Sequence, residues 1–237
     1  AQPLRKVLPH RDRAQAFVQE DHQRSVGTLS VDPLALDAHG ALAHNYDDGG
    51  AIELTVVARG RGAGPVPAVR RIDDTIVTLD VIDADACFDL ALALTPAWPL
   101  AADRFVTGRP LYDPDGWYGR LRDAHLGRLA EIGDAAFAAA ARLAWCEASA
   151  ARSRAIQLAE WDDTDGAMHT LGVARLATAL VDGLLTRTYF RSAADGVSRA
   201  GLGSANLTEL AERLTAQAAD LADRGFPVDG SVEDLVA

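Results

Sequence analysis

The sequence predicts an α+β protein in which a mixed β-sheet domain comes first and an α-helical bundle follows. Strand-like segments between glycine- and aspartate-rich turns occur only in the first half of the chain. From Trp117 onward alanine becomes frequent and apolar residues recur at helical spacing. The run Ile76–Ile82 is nearly continuously apolar, which is typical of a strand covered on both faces. We therefore predict two domains, residues 1–113 and residues 114–237.

The first domain is predicted to combine helices with strands. The turn Asp47–Gly50 precedes a strand, because aspartate and glycine tolerate positive φ angles. Pro96 and Pro99 end a short helix, since proline cannot continue one. A hairpin joins the last two strands. The predicted helices cover residues 11–23 and 84–94, and the predicted strands cover residues 26–31, 38–46, 51–58, 68–72 and 75–82.

The second domain is predicted to be entirely helical. In its last helix Leu207, Leu210 and Leu214 repeat at helical spacing. Asn206 is a suitable N-cap for this helix, and Gly225 is suited to end it. The predicted helices of the bundle cover residues 115–129, 134–160, 167–190 and 205–224.

The net charge of −11 limits the kinds of partner that the chain can bind. It opposes binding to nucleic acid, because phosphate contacts need clustered lysine and arginine. It still allows a small anionic ligand on a local basic patch, and it attracts a cationic substrate at long range. Solubility alone is an equally good explanation of the charge. We predict a small-molecule partner and no nucleic acid.

Cysteine usage and hydropathy favour a cytoplasmic protein without membrane contact. Cys87 and Cys146 lie in apolar, helical segments and form no CxxC pair, which favours reduced thiols over a structural disulfide. No stretch approaches 18 consecutive apolar residues, and the first residues lack the apolar run of a signal peptide. The sequence also has no GxSxG, HExxH or Rossmann glycine motif, so hydrolase and dehydrogenase functions lack support.

One segment is specific enough to suggest a family. Trp98–Arg104 is followed by Arg109–Gly116, which reads RPLYDPDG, and then by a helix with Arg120 and Arg122. This segment and the order of elements over residues 10–225 resemble the small-molecule nucleotidyltransferases, which include the aminoglycoside nucleotidyltransferases of the DNA polymerase β superfamily. The resemblance implies a nucleotidyltransferase-like sheet domain, a helical bundle and a ligand in the cleft between them. Helical bundles of this type often pair, so a homodimer is an open alternative to a monomer.

The resemblance also implies a metal site in degenerate form. The family carries a Gly-Gly or Gly-Ser pair, then Asp-x-Asp or Asp-x-Glu on a strand, and a third acid on a later strand. Strand residues two apart point to the same face, so these acids can hold two Mg²⁺ ions against a nucleoside triphosphate. Here Gly40 matches the glycine pair, Glu53 the second acid and Asp80 the third, whereas Ala51 replaces the first acid. Asp48, in the preceding turn, is a candidate substitute for it.

Three further residues are candidates for the site. The loop that begins with Arg59 and Arg61 offers two cations and backbone N–H groups to a phosphate, although a plain hairpin loop explains it as well. Glu147 lies within a helix of the bundle, where aminoglycoside nucleotidyltransferases can carry a general base. Any exposed helical glutamate would match that position. The carboxylates of the metal site also have an alternative, which is a solvated face of the sheet.

Three hypotheses about function follow. An active nucleotidyltransferase would use Mg²⁺ and a nucleoside triphosphate to transfer a nucleoside monophosphate to a small hydroxylated molecule. A pseudo-nucleotidyltransferase that has lost metal-dependent transfer would bind a small molecule, or act on it without a metal or cofactor. An unrelated α+β domain would place Glu53 and Asp80 apart.

Overall fold

The computed structural model describes residues 33–39, 52–60, 64–72 and 75–228. The described residues form a mixed sheet followed by helices, so the predicted α+β class is confirmed. The predicted helix at 11–23, the predicted strand at 26–31 and the turn Asp47–Gly50 lie outside the described residues. No described helix has the length and apolar character that crossing a membrane requires.

The five strands of the described sheet are β1 Pro33–His39, β2 Ile52–Ala58, β3 Ala68–Ile72, β4 Thr75–Asp83 and β5 Arg109–Tyr112. Their order in the sheet is β3-β4-β2-β1-β5. Strands β2 and β4 are parallel neighbours, whereas the pairs β1–β2, β1–β5 and β3–β4 are antiparallel. The sheet is therefore mixed, as predicted, and the antiparallel pair β3–β4 is the predicted hairpin.

Three predictions about the strands were wrong in part. Strand β1 begins at Pro33, earlier than the strand predicted at 38–46, and a proline is compatible with the first position of a strand. Strand β4 is not covered on both faces along its whole length. The side chain of Ile76 is 50% exposed and Asp80 is exposed, so the start of this strand alternates between core and solvent. Strand β5 was not predicted, because its four residues give too short a pattern.

The helices follow the predicted spacing with three differences. The helix Trp98–Thr107 was missed because Pro99 suggested a break, yet proline is tolerated in the first turn of a helix. The helix predicted at 167–190 ends at Leu185, close to Arg187, whose φ of +51° is not helical. A short helix capped by the Ser192 side chain follows. The helices are α1 Ala84–Leu92, α2 Trp98–Thr107, α3 Trp117–Glu131, α4 Asp134–Glu160, α5 Thr164–Leu185, α6 Ala193–Arg199 and α7 Leu207–Asp223.

The chain divides into two compact units. The first contains the described residues up to Ala91 together with Arg104–Ala124, and the second contains Leu92–Asp103 together with the residues from His125 onward. The boundary between the units therefore crosses the chain three times, before the last residue of helix α1 and inside helices α2 and α3. The division at 113/114 stays a prediction.

The first unit has a core on each face of the sheet. One face packs the strand residues Ala35 and Val57 against Phe105, Trp117 and Leu121 of the helices. The other face buries a second set of apolar side chains from the strands. That second set includes Leu36, Ala38, Ile52, Leu54, Val56, Val77 and Leu79.

In the second unit, helices α4, α5 and α7 pack on one another. The predicted cap of helix α7 is confirmed, since the Asn206 side chain accepts hydrogen bonds from the N–H groups of Thr208 and Glu209. The predicted end of this helix is confirmed as well, because Gly225 follows it with a φ of +84°.

Candidate functional site

The face of the sheet that packs against the helices also carries polar side chains from three strands. Thr55 of β2 lies opposite Asp37 of β1 on one side and opposite Asp80 of β4 on the other. Glu53 lies two residues before Thr55, and strand residues two apart point to the same face. Asp37, Glu53, Thr55 and Asp80 therefore share one face of the sheet.

Glu53 and Asp80 lie one strand apart and two residues out of register on this face. The spacings of a parallel sheet put their Cα atoms about 8 Å apart, which lets the two carboxylates approach a common ligand. Both side chains are exposed to solvent. The two acids that the resemblance assigns to a metal site are therefore neighbours on an accessible surface.

The polar face changes from exposed to buried within two residues along β2. Glu53 is exposed, whereas Thr55 is 1% exposed and its neighbour Asp37 is 2% exposed. Helices cover the face beyond this point, where Val57 packs against Phe105 and Leu121. Thr55 and Asp37 thus lie at the border between the open part and the helix-covered part of the face.

Helix α2 brings a cation to the same border. The half-buried Arg104 donates a hydrogen bond from Nη2 to the hydroxyl of Thr55, with a distance of 3.1 Å. The main chain around Arg104 is held in turn, because its carbonyl accepts a hydrogen bond from the Tyr118 hydroxyl. Gly108 completes this contact, since a Cβ at that position would collide with the Tyr118 hydroxyl and the Arg104 carbonyl.

Burial controls the protonation of two groups near Arg104. Burial raises the pKa of the Cys87 thiol to about 11, with the positive charge of Arg104 opposing the rise and the negative charge of Asp37 adding to it. Burial also raises the pKa of the Tyr118 hydroxyl, again with a contribution from Asp37. Both groups are therefore neutral near pH 7, and the thiol is a poor nucleophile.

The segment that suggested the family orders the start of helix α3. The Asp113 carboxylate accepts hydrogen bonds from the N–H groups of Trp117 at 2.6 Å and Tyr118 at 3.1 Å. Asp115 forms an ion pair with Arg59, with a distance of 2.9 Å between Nη2 and Oδ2. The role of Arg59 in holding a phosphate stays a prediction, and its guanidinium is engaged by Asp115 in this structure.

The remaining predicted site residues lie elsewhere. Gly40, Asp48 and Arg61 lie outside the described residues. Glu147 belongs to the second unit, where it is exposed on helix α4, and its role as a general base stays a prediction. Across residues 33–39, 52–60, 64–72 and 75–228, no group of three or more histidine, cysteine or acidic side chains is arranged to hold a metal ion.

The donor set that is described fits a magnesium ion in one specific way. Mg²⁺ keeps several of its waters and commonly takes one or two carboxylates together with the phosphates of a nucleotide. Glu53 and Asp80 supply two carboxylates, and both are open to solvent. The pair is therefore suited to a cation that arrives with a phosphate ligand and not to a cation caged by protein ligands alone.

Sequence reasoning missed the importance of Asp37, Thr55 and Arg104. Thr55 could have been found, because it lies two residues after Glu53 and therefore on the same face of a strand. Asp37 was missed because it lies between the strands predicted at 26–31 and 38–46, whereas β1 covers Pro33–His39. Arg104 was missed because its contact with Thr55 depends on helix α2, which the sequence did not predict.

The chain is an α+β protein whose mixed sheet presents two exposed carboxylates beside a buried polar group and an arginine. No protein-family model matches it, and no curated protein matches it. Among solved structures it is similar to a nucleotidyltransferase-like protein from Exiguobacterium sibiricum 255-15. That likeness has a TM-score of 0.42 and 11% sequence identity, and it covers 91% of this chain and 76% of that chain.

Proposed function

We propose that the chain is a nucleotidyltransferase-type protein that binds a nucleoside triphosphate together with a divalent cation. One observation carries the proposal, which is the shared, solvent-exposed face of Glu53 and Asp80 on the parallel strands β2 and β4. Carboxylates that share one solvent-exposed face of a sheet are suited to a divalent cation. Glu53 and Asp80 would hold this cation.

Arg104 is proposed to contact the phosphates of the same ligand. Its guanidinium is hydrogen-bonded to Thr55, which lies directly opposite Asp80 in the sheet. Arginine presents five N–H donors in a planar arrangement that matches phosphate oxygens, and one of them is used by Thr55. The bond to Thr55 would therefore orient the guanidinium and leave other donors available.

The proposed reaction is transfer of a nucleoside monophosphate to a small hydroxylated molecule. The acceptor oxygen attacks the α-phosphorus, the bond from that phosphorus to the pyrophosphate oxygen breaks, and the hydroxyl proton leaves to a base or to water. A bound divalent cation supplies charge stabilisation on the phosphate oxygens. The side chains of Glu53, Asp80 and Arg104 would fix the position of the triphosphate. The net charge of −11 favours a cationic acceptor.

A second candidate function follows from Ala51. The family motif has an acid at this position, and alanine cannot ligate a metal. A site with two carboxylates can bind a cation with its nucleotide and still lack the second cation that activates the acceptor. The alternative is therefore a nucleotide- or small-molecule-binding protein that has lost transfer.

Calorimetry and a transfer assay separate these functions. Mg²⁺ with ATP, CTP, GTP or UTP is titrated into the wild type and into Glu53→Gln, Asp80→Asn and Arg104→Ala. The control is Asp89→Asn, which neutralises an exposed acid on helix α1. We expect Mg²⁺-dependent binding of at least one nucleotide, weakened about tenfold or more by each site variant and unchanged by the control.

The same nucleotide is then incubated with aminoglycosides and simpler amino-sugars, and release of pyrophosphate is measured. Pyrophosphate release that depends on an acceptor supports the transferase. Nucleotide binding without release supports the second candidate. No binding of any of the four nucleotides contradicts the proposed nucleotide and cation site, and it supports a small-molecule-binding protein without metal-dependent transfer.

A further inference from the structure

Helix α4 exposes an unusually apolar surface for a helix that faces solvent. Leu143 is 58% exposed in the middle of the helix, and its exposed neighbours at helical spacing are mostly small. We call this surface the α4 stripe, and it consists of Ala139, Leu143, Cys146, Glu147, Ala150 and Arg154. Only two residues of the stripe, Glu147 and Arg154, are charged.

The α4 stripe points away from the packed side of its own helix. On that packed side, the indole of Trp145 donates a hydrogen bond to the carbonyl of Leu214 in helix α7 at 2.8 Å. Ala148 packs in the same cluster as Leu214. Leu143 and Ala150 lie about half a turn away from these residues, since an α-helix advances about 100° per residue. Nothing in the described part of the second unit covers them, because both are exposed.

Exposed apolar residues continue at the end of the stripe. Trp161, directly after helix α4, is 66% exposed. Helix α5 runs back along α4 from this point, and its first half exposes Met168 and Val173, at 59% and 47%. Large apolar side chains that are exposed close together on a protein surface mark interaction sites.

The two charges of the stripe are arranged to pair with a second copy of the same stripe. Glu147 and Arg154 lie seven residues apart, which is about two turns and therefore the same face. In two identical helices that cross antiparallel about a two-fold axis between Ala150 and Ala151, each residue faces the position equally far beyond the axis. Glu147 of one copy then faces Arg154 of the other, and the symmetry repeats the pair.

The side chains around that axis suit a close crossing. Cys146 and Ala150 are small, so the two helices can approach to the short end of the usual interaxial distance. The same register brings Leu143 of one copy within about one turn of Trp161 of the other, where an aromatic ring can act as an apolar anchor. Arg154 already lies over the Trp161 ring, 5.2 Å from its centroid, and is thus positioned at this end of the helix.

We propose that the α4 stripe is the interface of a two-fold symmetric homodimer in which Glu147 of each copy pairs with Arg154 of the other. A second copy is the occupant that the charges favour, because the stripe is complementary to itself. The proposal does not depend on the nucleotide site, and it gives Glu147 a role in assembly.

The mass in solution is the first test. Light scattering after gel filtration is expected to give about 50 kDa, twice the 25.1 kDa of the chain, at concentrations near 100 µM. A mass of one chain at that concentration overturns the proposal. If the mass is that of a dimer, the second test examines whether the α4 stripe forms the interface and in which register.

Charge exchange tests the register. Glu147→Arg places like charges at both ion pairs, and Arg154→Glu does the same with the opposite sign, so each variant is expected to weaken dimerisation about tenfold or more. An equimolar mixture of the two single variants restores both pairs and is expected to dimerise like the wild type. The control is Arg142→Glu, a charge change on α4 outside the stripe. Single variants that dimerise like the wild type overturn the proposal, and so does a mixture that stays monomeric.

Disulfide capture tests the position of the axis. In a Cys146→Ser background, Ala150→Cys places two thiols beside the two-fold axis, and oxidation is expected to link two chains. Ala139→Cys is the matched control, because its two copies lie about 35 Å apart in this arrangement. Equal crosslinking at 139 and 150, or crosslinking at 139 alone, overturns the proposed register.

Discussion

Raising the pH should weaken the fold through Cys87, which lies 2% exposed beneath the polar face of the sheet. Burial raises the pKa of this thiol from 9.0 to about 11, while Arg104 opposes the rise and Asp37 adds to it. The folded state therefore holds the thiol proton more tightly than the unfolded state. This contribution to stability is fully present below pH 9 and is lost as the pH rises toward 11.

The magnitude follows from the two pKa values. A pKa that moves from 9.0 to about 11 on folding corresponds to about 2.7 kcal/mol when the thiol is ionised in both states. About 1.3 kcal/mol of this is lost between pH 8 and pH 10. Tyr118 contributes with the same sign at higher pH, because burial raises its pKa as well. The free energies of unfolding of the wild type and Cys87→Ala are therefore compared at pH 10 and below.

Urea unfolding at pH 8, 9 and 10 measures the effect. The free energy of unfolding should fall by about 1.3 kcal/mol more in the wild type than in Cys87→Ala over this range. Cys146→Ala is the matched control, since Cys146 is exposed, and it should follow the wild type. If Cys87→Ala loses as much stability with pH as the wild type does, the buried thiol is not the source and the reasoning is refuted.

Two further predictions concern the main chain. Gly108→Ala should lower the free energy of unfolding by about 1–3 kcal/mol, because its methyl group would collide with the Tyr118 hydroxyl and the Arg104 carbonyl. Gly119→Ala, on the open surface of helix α3, should raise the free energy of unfolding by about 1 kcal/mol. Thermal unfolding measures both variants, and a change of stability in the same direction in both would contradict the account. Asn206→Ala should cost about 1 kcal/mol through loss of the cap of helix α7. Asn206→Asp, which keeps an acceptor, should cost much less in the same assay, and an equal loss would contradict the capping role.

The sequence predicted those parts of the fold whose patterns are local and long. The apolar repeat of helix α7 and the alternating pattern of the hairpin β3–β4 each contain enough residues to reveal their periodicity. The missed elements, α2, α6 and β5, are short, and the start of α2 contains Pro99. A proline near a helix start gives the same sequence signal as a proline that ends one, and only packing distinguishes the two cases.

The candidate site could be predicted in part for the same reason. Glu53 and Asp80 stand out because each is an acid in an apolar strand, and the parallel pairing of β2 and β4 places them on one face. No local pattern in the sequence shows that β2 pairs with β4. Arg104 and Thr55 are 49 residues apart in the sequence. Asp37 lies beside Thr55 only because of the register in which β1 pairs with β2. Contacts of this range depend on the whole fold.

A double-mutant cycle on cation affinity tests the central claim, which is that Glu53 and Asp80 hold one cation together. Mn²⁺, used as a paramagnetic substitute for Mg²⁺, is titrated in the presence of the nucleotide that binds best. The proteins are the wild type, Glu53→Gln, Asp80→Asn and the variant with both changes. We predict that each single change weakens Mn²⁺ binding about tenfold or more, and that the double change weakens it by clearly less than the product of the two. Single changes that leave the affinity unaltered, or effects that multiply as at independent sites, would contradict the claim.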